Sequence, residues 1–349
     1  MKTMVILTNT SSAGLFKLLI HLNKKITPTG YYNKEKTEIF VFEPDLLNDP
    51  IINTEKIENF FIDRVKYREK SPNEFKSLKI LNLDIINDKN LKSIVEAIKA
   101  GREIDIWFDK EKKSQIVLIF LLVLTSTHKD YQQKNLNIFS YPEIIAEQSA
   151  DEFHPDKVQK INDIDRLFLK SLRIWDALTS GNPARVYEEF EVEREGKEWA
   201  YCLLKEFLDE IPGNRSGLNK TETKLLSIIS NSSGISFGDI SRIFSAEDDF
   251  SSSWLELPAI LERMKGLSLI KYENPHQNTN LQTLVENEIS ARTNNYDSLT
   301  VKLTKKGMDV DKGVEAATIE LMNNINIGQK NNKDVFWLWD DENHRLIRG

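Results

Sequence analysis

Apolar positions over residues 1–140 fall into short runs separated by stretches of helical spacing. Val5-Ile6-Leu7 is a compact strand run that leads through Thr8 to Gly14 into Leu15, Leu18, Leu19 and Leu22, which share one helix face. Glu38 to Phe42 is a second β-rich run closed by Pro44, and Ile57, Phe60, Phe61 and Val65 mark a helix over residues 54–68. Residues 78–83 read as a strand and 91–100 as a helix. Ile104 to Phe108 is a strand, 114–125 a nearly all-apolar helix and 136–140 another strand. Such alternation predicts an α/β domain over residues 1–141, an open, Rossmann-like, mostly parallel sheet covered on both faces.

The period changes after Tyr141. Ile161, Ile164, Leu167, Phe168, Leu172, Trp175 and Leu178 recur at three- and four-residue steps until Gly181-Asn182-Pro183, and Trp199, Leu203, Leu204 and Leu208 mark a helix over 195–211. With no strand needed before residue 268, residues 142–212 are expected to be a helical connector. Residues 213–349 predict a winged-helix-like domain. Asn219 and Glu222 have capping-box spacing, Ser236 and Asp239 repeat the device, and a third helix runs over 253–265 to Gly266. Two strands, 269–272 and 299–303, flank a loop rich in Asn, Thr and Gln. A helix near 314–322 and a hairpin built from 335–340 and 345–347 close the chain.

Composition narrows the classes. The 349 residues hold 40% hydrophobic side chains, a net charge of −7 and one cysteine, Cys202, too few for an internal disulfide. This fits a reducing, cytoplasmic setting. The longest apolar run, Ile116 to Leu124, is far short of the ~20 residues of a spanning helix, so no membrane partner is expected. No leader-like segment opens the chain. Charge is uneven: residues 1–150 carry +2 and 151–349 carry −9. The stretch from Asn219 to Lys306 nets −1, and Glu256, Glu262, Arg263 and Lys265 on its third helix sum to zero, which argues against nucleic acid.

Candidate chemistry gathers at one sheet rim. Asn9, Thr10, Ser11, Ser12 and Gly14 form a strand-to-helix turn where free N–H groups and a helix dipole favour a small anion, although Ser, Thr and Asn there are equally ordinary helix caps. Asp109 and Glu111 follow strand 104–108 at the same rim, as an acid pair or as a solvated loop. No phosphate-loop pattern, nucleophile elbow or metal-ligand spacing of histidines occurs in the sequence, so neither catalytic residue, metal nor cofactor is assigned. Cys202, beside Leu203 and Leu204, is expected to be a packed side chain.

Pro212-Gly213-Asn214-Arg215-Ser216-Gly217-Leu218-Asn219-Lys220-Thr221-Glu222 resembles the Pro-x-x-Arg-x-Gly-Leu-x-x-Thr-Glu stretch of a bacterial family, domain of unknown function 1835 (DUF 1835), with its C-terminal companion domain. Leu303-Thr304-x-x-Gly307, Trp337-x-Trp339-Asp340 and Trp107-Phe108-Asp109 fit the same resemblance. It singles out Arg215, Gly217, Leu218, Thr221, Glu222, Trp337, Trp339 and Asp340. The family's His-Ile-x-Asn-Gly-Asp-Ser opening is replaced by Val5 to Ser11, its Trp-Phe-Glu-His-Asp by Trp107 to Glu111, and its Trp-Arg-Asp-x-Leu by Phe42 to Leu46. The polar groups an active site would use are thus mostly lost. The expectation is a non-catalytic binding or regulatory protein with a protein partner or an anionic ligand at the rim. A ligand-responsive transcription regulator and a rim enzyme for nucleotide or phosphoester chemistry are the alternatives.

Overall fold

The computed structural model describes residues 2–28, 30–47, 51–70, 78–128, 135–196, 199–246, 257–273, 299–317, 337–340 and 342–348. The chain divides into two compact units, Met1–Leu203 and Leu204–Gly349.

The first unit contains β1 (Thr3–Leu7), α1 (Thr10–His21), β2 (Thr37–Val41), α2 (Phe60–Lys70), α3 (Leu78–Lys99), β3 (Ile104–Phe108), α4 (Lys112–Ser126), β4 (Leu136–Ser140), β5 (Gln159–Lys160), α5 (Ile164–Thr179) and α6 (Pro183–Gly196). The sheet order is β2-β1-β3-β4-β5, parallel through β4 with β5 antiparallel at the edge. The alternation of side chains along β3 sorts it between two layers. On one face Trp107 packs with Val5, Leu7, Phe16 of α1, Tyr141 and Phe153. On the other, α4 is buried from Ser114 to Thr125, as a helix apolar on all sides must be, and Phe120 meets Phe42, Phe60, Phe61 and Trp175.

Three expectations change here. Residues 78–83 belong to α3 and not to a strand. A short apolar run does not distinguish the two states. What holds α3 is the wholly buried Arg64 of α2, whose Nε donates to Asp84 at 3.0 Å and Nη1 to the Asp45 carbonyl at 2.9 Å. A strand does precede residue 268: β5 is two exposed residues, invisible to a hydrophobic pattern. Pro183 opens α6 rather than only ending α5, since a proline at the first helical turn needs no N–H partner and Asn182 accepts the Ala184 N–H at 3.1 Å. Of the expected connector helices, the one over 161–179 is α5, which lies within the first unit against α4, as does α6, a helix the spacing does not predict.

The division falls within α7 (Ala200–Asp209). Beyond it come α8 (Lys220–Ser230), β6 (Ile235–Ser236), α9 (Phe237–Ala246), α10 (Leu257–Gly266), β7 (Ile270–Glu273), β8 (Thr300–Leu303), α11 (Lys305–Asp311), β9 (Trp337–Asp340) and β10 (Arg345–Arg348). A three-stranded antiparallel sheet has the order β6-β8-β7, and β9 and β10 form a separate hairpin. Asn219 and Glu222 close the capping box of α8, and Leu225, Leu226, Ile229, Ile240, Leu261, Met264 and Val301 fill the core. α11 is a helix the spacing does not predict, capped by Thr304, whose hydroxyl accepts the Gly307 N–H at 3.1 Å, whereas residues 314–317 of the helix expected over 314–322 are not helical. The Leu-Thr-x-x-Gly pattern gains a steric reason, because a Cβ on Gly307 would lie 2.0 Å from the Leu269 carbonyl oxygen. The loop expected over 273–298, the start of the third helix at 253–256 and residues 318–322 of the late helix lie outside the described residues, Glu273 excepted.

Candidate functional site

The two rim turns have their polar groups engaged within each turn or by neighbouring segments, not with each other. Asn9 caps α1, its Oδ1 accepting the Ser11 N–H at 2.7 Å. The Thr10 N–H and hydroxyl both donate to one Glu43 carboxylate oxygen, at 3.1 and 3.0 Å. Ser12 is buried, while Ser11 and Gly14 are exposed, and a Cβ on Gly14 would meet nothing within 4 Å. Asp109 is buried and accepts the Glu111 N–H at 3.0 Å and the Ile145 N–H at 2.9 Å, tying the β3–α4 turn to the segment after β4. Burial pushes the Asp109 carboxyl above its usual range against those hydrogen bonds. The half-buried Glu111 is likewise raised by burial, then by the neighbouring charges of Asp109, Glu43 and Glu147. The helix N-terminus therefore faces the protein's own carboxylates, and a further anion would meet repulsion from them.

The motif residues of the second unit make a structural knot. The Trp339 N–H donates to the Pro212 carbonyl at 2.9 Å, the Asn214 N–H to the Trp339 carbonyl at 2.9 Å, and the buried Trp339 indole to Asp209 at 3.1 Å. Arg215 grips exposed Glu342 with two hydrogen bonds of 2.5 Å, and Thr221 donates to Glu210 at 2.7 Å. Gly217, at φ +69°, sits so close to Ala317 that a Cβ would approach its carbonyl oxygen to 2.6 Å. Leu218 belongs to the core, Trp337 is half-buried, and Asp340 accepts from Asn343 and from Arg345 Nε at 3.0 Å. Cys202 is exposed, contrary to expectation, because α7 buries its Leu203, Leu204 and Leu208 side. Among the described residues no group of His, Cys, Asp and Glu is arranged to hold a metal, and no helix is long and apolar enough to cross a membrane.

A second site is a cleft of 440 Å³ lined by Thr27, Gly30, Tyr31, Tyr32, Glu103, Asp105, Asn137, Phe139 and Lys160, among others. It lies where the α1 face of the sheet continues past α1 over β3, β4 and β5. Asp105 pairs in register with Asn137. Only 5% exposed, it accepts the Tyr32 hydroxyl at 2.6 Å and the Asn137 amide at 2.7 Å. The Trp107 indole donates to the Tyr32 oxygen at 3.0 Å, and Phe139 stacks on Trp107 with centroids 4.8 Å apart. Burial raises the Asp105 carboxyl, an effect these donors oppose. Burial first, and Asp105 second, hold the Tyr32 phenol far above its ordinary range, so it stays protonated and can donate. Sequence reasoning at the rim passes over Asp105, though one signal is visible: an acid alternating with Ile104, Ile106 and Phe108 in a buried strand.

No family model matches the chain, and no curated protein is similar to it.

Proposed function

We propose that the chain is a non-catalytic, ligand-binding regulatory protein, whose α/β unit takes a small molecule in the Asp105 cleft and whose second unit contacts a protein partner. The observation that carries this is the floor of the cleft: a buried carboxylate oriented by Tyr32 and Asn137 beneath aromatic side chains. Ligand sites combine just such an apolar wall with a few convergent polar groups. The rim is the poorer candidate, since Glu43 already serves the α1 N-terminus and Asp109 spends its oxygens on backbone N–H groups.

For the second unit, the succession α8-β6-α9-α10-β7-β8 with sheet order β6-β8-β7 supports a winged helix. The basic side chains of α10 are engaged internally: Arg263 Nε donates to Glu222 at 2.6 Å, and Lys265 lies 3.6 Å from Glu262 and over the Tyr272 ring. That favours protein contact over phosphate binding. Kinship with DUF 1835 rests on residues 212–222, and a cytoplasmic setting on the single cysteine.

The test is a thermal-shift screen of a metabolite set against the protein and against Thr27→Trp, which fills the cleft. Compounds that raise Tm in the first and not in the second support the reading. No stabilising compound, or stabilisation retained in Thr27→Trp, contradicts it.

A further inference from the structure

Charge in the cleft discriminates between ligand classes. Glu103, just before β3, and Asp105 within it share the Asn137 amide, whose Nδ2 lies 3.3 Å from Glu103 and 2.7 Å from Asp105. Their remaining donors are neutral, the Thr3 hydroxyl at 2.8 Å on Glu103 and the Tyr32 hydroxyl at 2.6 Å on Asp105. Among the described residues neither acid forms an ion pair with Lys, Arg or His, so their charge is left without a contact partner. Lys160, exposed at the edge strand, is the one cation among the described lining residues, and Lys25, outside the lining, stands over the Tyr31 ring at 6.0 Å from its centroid. Two carboxylates against one ammonium give the described lining a net negative charge, with the acids grouped at Asn137 and Lys25 off at the Tyr31 side.

A carboxylate with two neutral donors keeps lone pairs for further N–H donors. Asp105 Oδ1 and Oδ2 each hold one such donor, and the residue opens into the cleft. Tyr32 and Phe139 add rings whose π systems attract a cation, and Tyr31 adds apolar surface, its own ring already having the Lys25 ammonium 6.0 Å from its centroid. Phe139 is held in place by its stack on Trp107, and Tyr32 by the Trp107 indole, so both are already ordered when a ligand arrives. The volume, 440 Å³, suits a compact molecule and not a polymer.

Resting on the reading of this cleft as the ligand site, we infer that its ligand is a small organic cation, a primary ammonium or guanidinium group on a compact, partly apolar body. The charged group meets Asp105 and Glu103, and the body lies along Tyr31 and Phe139. An anion would have to face both acids with Lys160 as the only cation of the described lining and Lys25 at the Tyr31 side in its favour. Lys160 is therefore a residue whose charge opposes the proposed ligand.

Isothermal titration calorimetry of the full chain at neutral pH, with three probes of similar shape, tests this. The probes are tyramine (cation), 4-ethylphenol (neutral) and 3-(4-hydroxyphenyl)propionate (anion). Tyramine is expected to saturate the site with Kd below ~1 mM, with the neutral probe at least about tenfold weaker and the anion weaker still. Asp105→Asn is expected to weaken tyramine by about thirtyfold or more, as loss of a buried charge partner does. Lys160→Gln, at an exposed position where folding is not at stake, is expected to strengthen it by about two- to fivefold. Binding of the anion or the phenol as tight as that of tyramine, or weakening of tyramine by Lys160→Gln, overturns the cation assignment. If Thr27→Trp removes that binding, the cleft reading survives. Failure of all three probes also overturns the assignment, and the cleft reading then stands or falls on the wider metabolite screen.

Discussion

Glu43 accepts both the backbone N–H and the hydroxyl of Thr10. In an open parallel sheet this helix N-terminus is where an anionic ligand is usually sought. Here a carboxylate from the segment after β2 fills that place. Replacing it by Glu43→Ala removes a favourable partner of the helix dipole along with two hydrogen bonds. A loss of about 0.5–1 kcal/mol in urea denaturation is expected, with tyramine affinity unchanged. A tenfold change in tyramine affinity would connect the rim to the ligand after all.

Tyr32 bridges the Trp107 indole and Asp105. In Tyr32→Phe the indole N–H loses its acceptor and Asp105 one of its two donors, both in a largely buried setting. Unfolding free energy is expected to fall by about 1–3 kcal/mol. A value within experimental error of wild type would mean that water replaces the phenol without cost.

The raised carboxyl of Asp105 carries a pH signature. A group whose folded-state pKa exceeds its unfolded value binds more protons when folded, so stability falls as pH rises from the ordinary carboxylate range, ~4, through the elevated value. Asp109 and Glu111 are raised too and add the same sign, so wild type alone does not isolate the effect. Subtracting does: the stability of Asp105→Asn relative to wild type is expected to increase across that window and level off above it. The groups facing Asp105 are Glu103, which raises its pKa, Lys160, which lowers it, and neutral Tyr32 and Asn137. A pH-independent difference between the two proteins, measured by denaturant titration at several pH values, would contradict the burial account.

Two glycines distinguish conformational from steric need. Gly14 lies inside α1 with open space around its missing Cβ, so Gly14→Ala is expected to stabilise by about 0.5–1 kcal/mol. Gly307→Ala drives a methyl into the Leu269 carbonyl and is expected to destabilise, lowering Tm. A Tm of Gly307→Ala at or above wild type would show that the approach of Gly307 to the Leu269 carbonyl is not a close one, and a destabilised Gly14→Ala would show that the space beside Gly14 is not open.

Much of the first unit is legible in the pattern of residues. Val5-Ile6-Leu7, Ile104 to Phe108 and Leu136 to Ser140 are strands where their β-rich runs lie, because a strand buried on one or both faces must be apolar. Residues 78–83 mislead because Leu and Ile at mixed spacing suit either state, and the arbiter, Arg64 against Asp84, is a tertiary contact. Cys202 misleads because sequence adjacency to Leu203 and Leu204 says nothing about the side of a helix, where each residue advances by about 100°. At the cleft, Asp105 is visible as a charge in an apolar strand, but its partners are not. Tyr32 is 73 residues away and Asn137 32, joined by a chain reversal and by strand register respectively. Rim residues, by contrast, are found from the strand-to-helix turn alone, whereas the Glu43 that occupies them comes from another strand's end.

The most direct test of where this protein holds its ligand is a backbone amide NMR titration of the full chain with tyramine. The account predicts saturable shifts at Gly30, Tyr31, Tyr32, Asn137 and Phe139, with Thr10, Ser11, Gly14 and Glu111 unmoved. Shifts confined to the rim residues, or no saturable shift in the cleft, would contradict it.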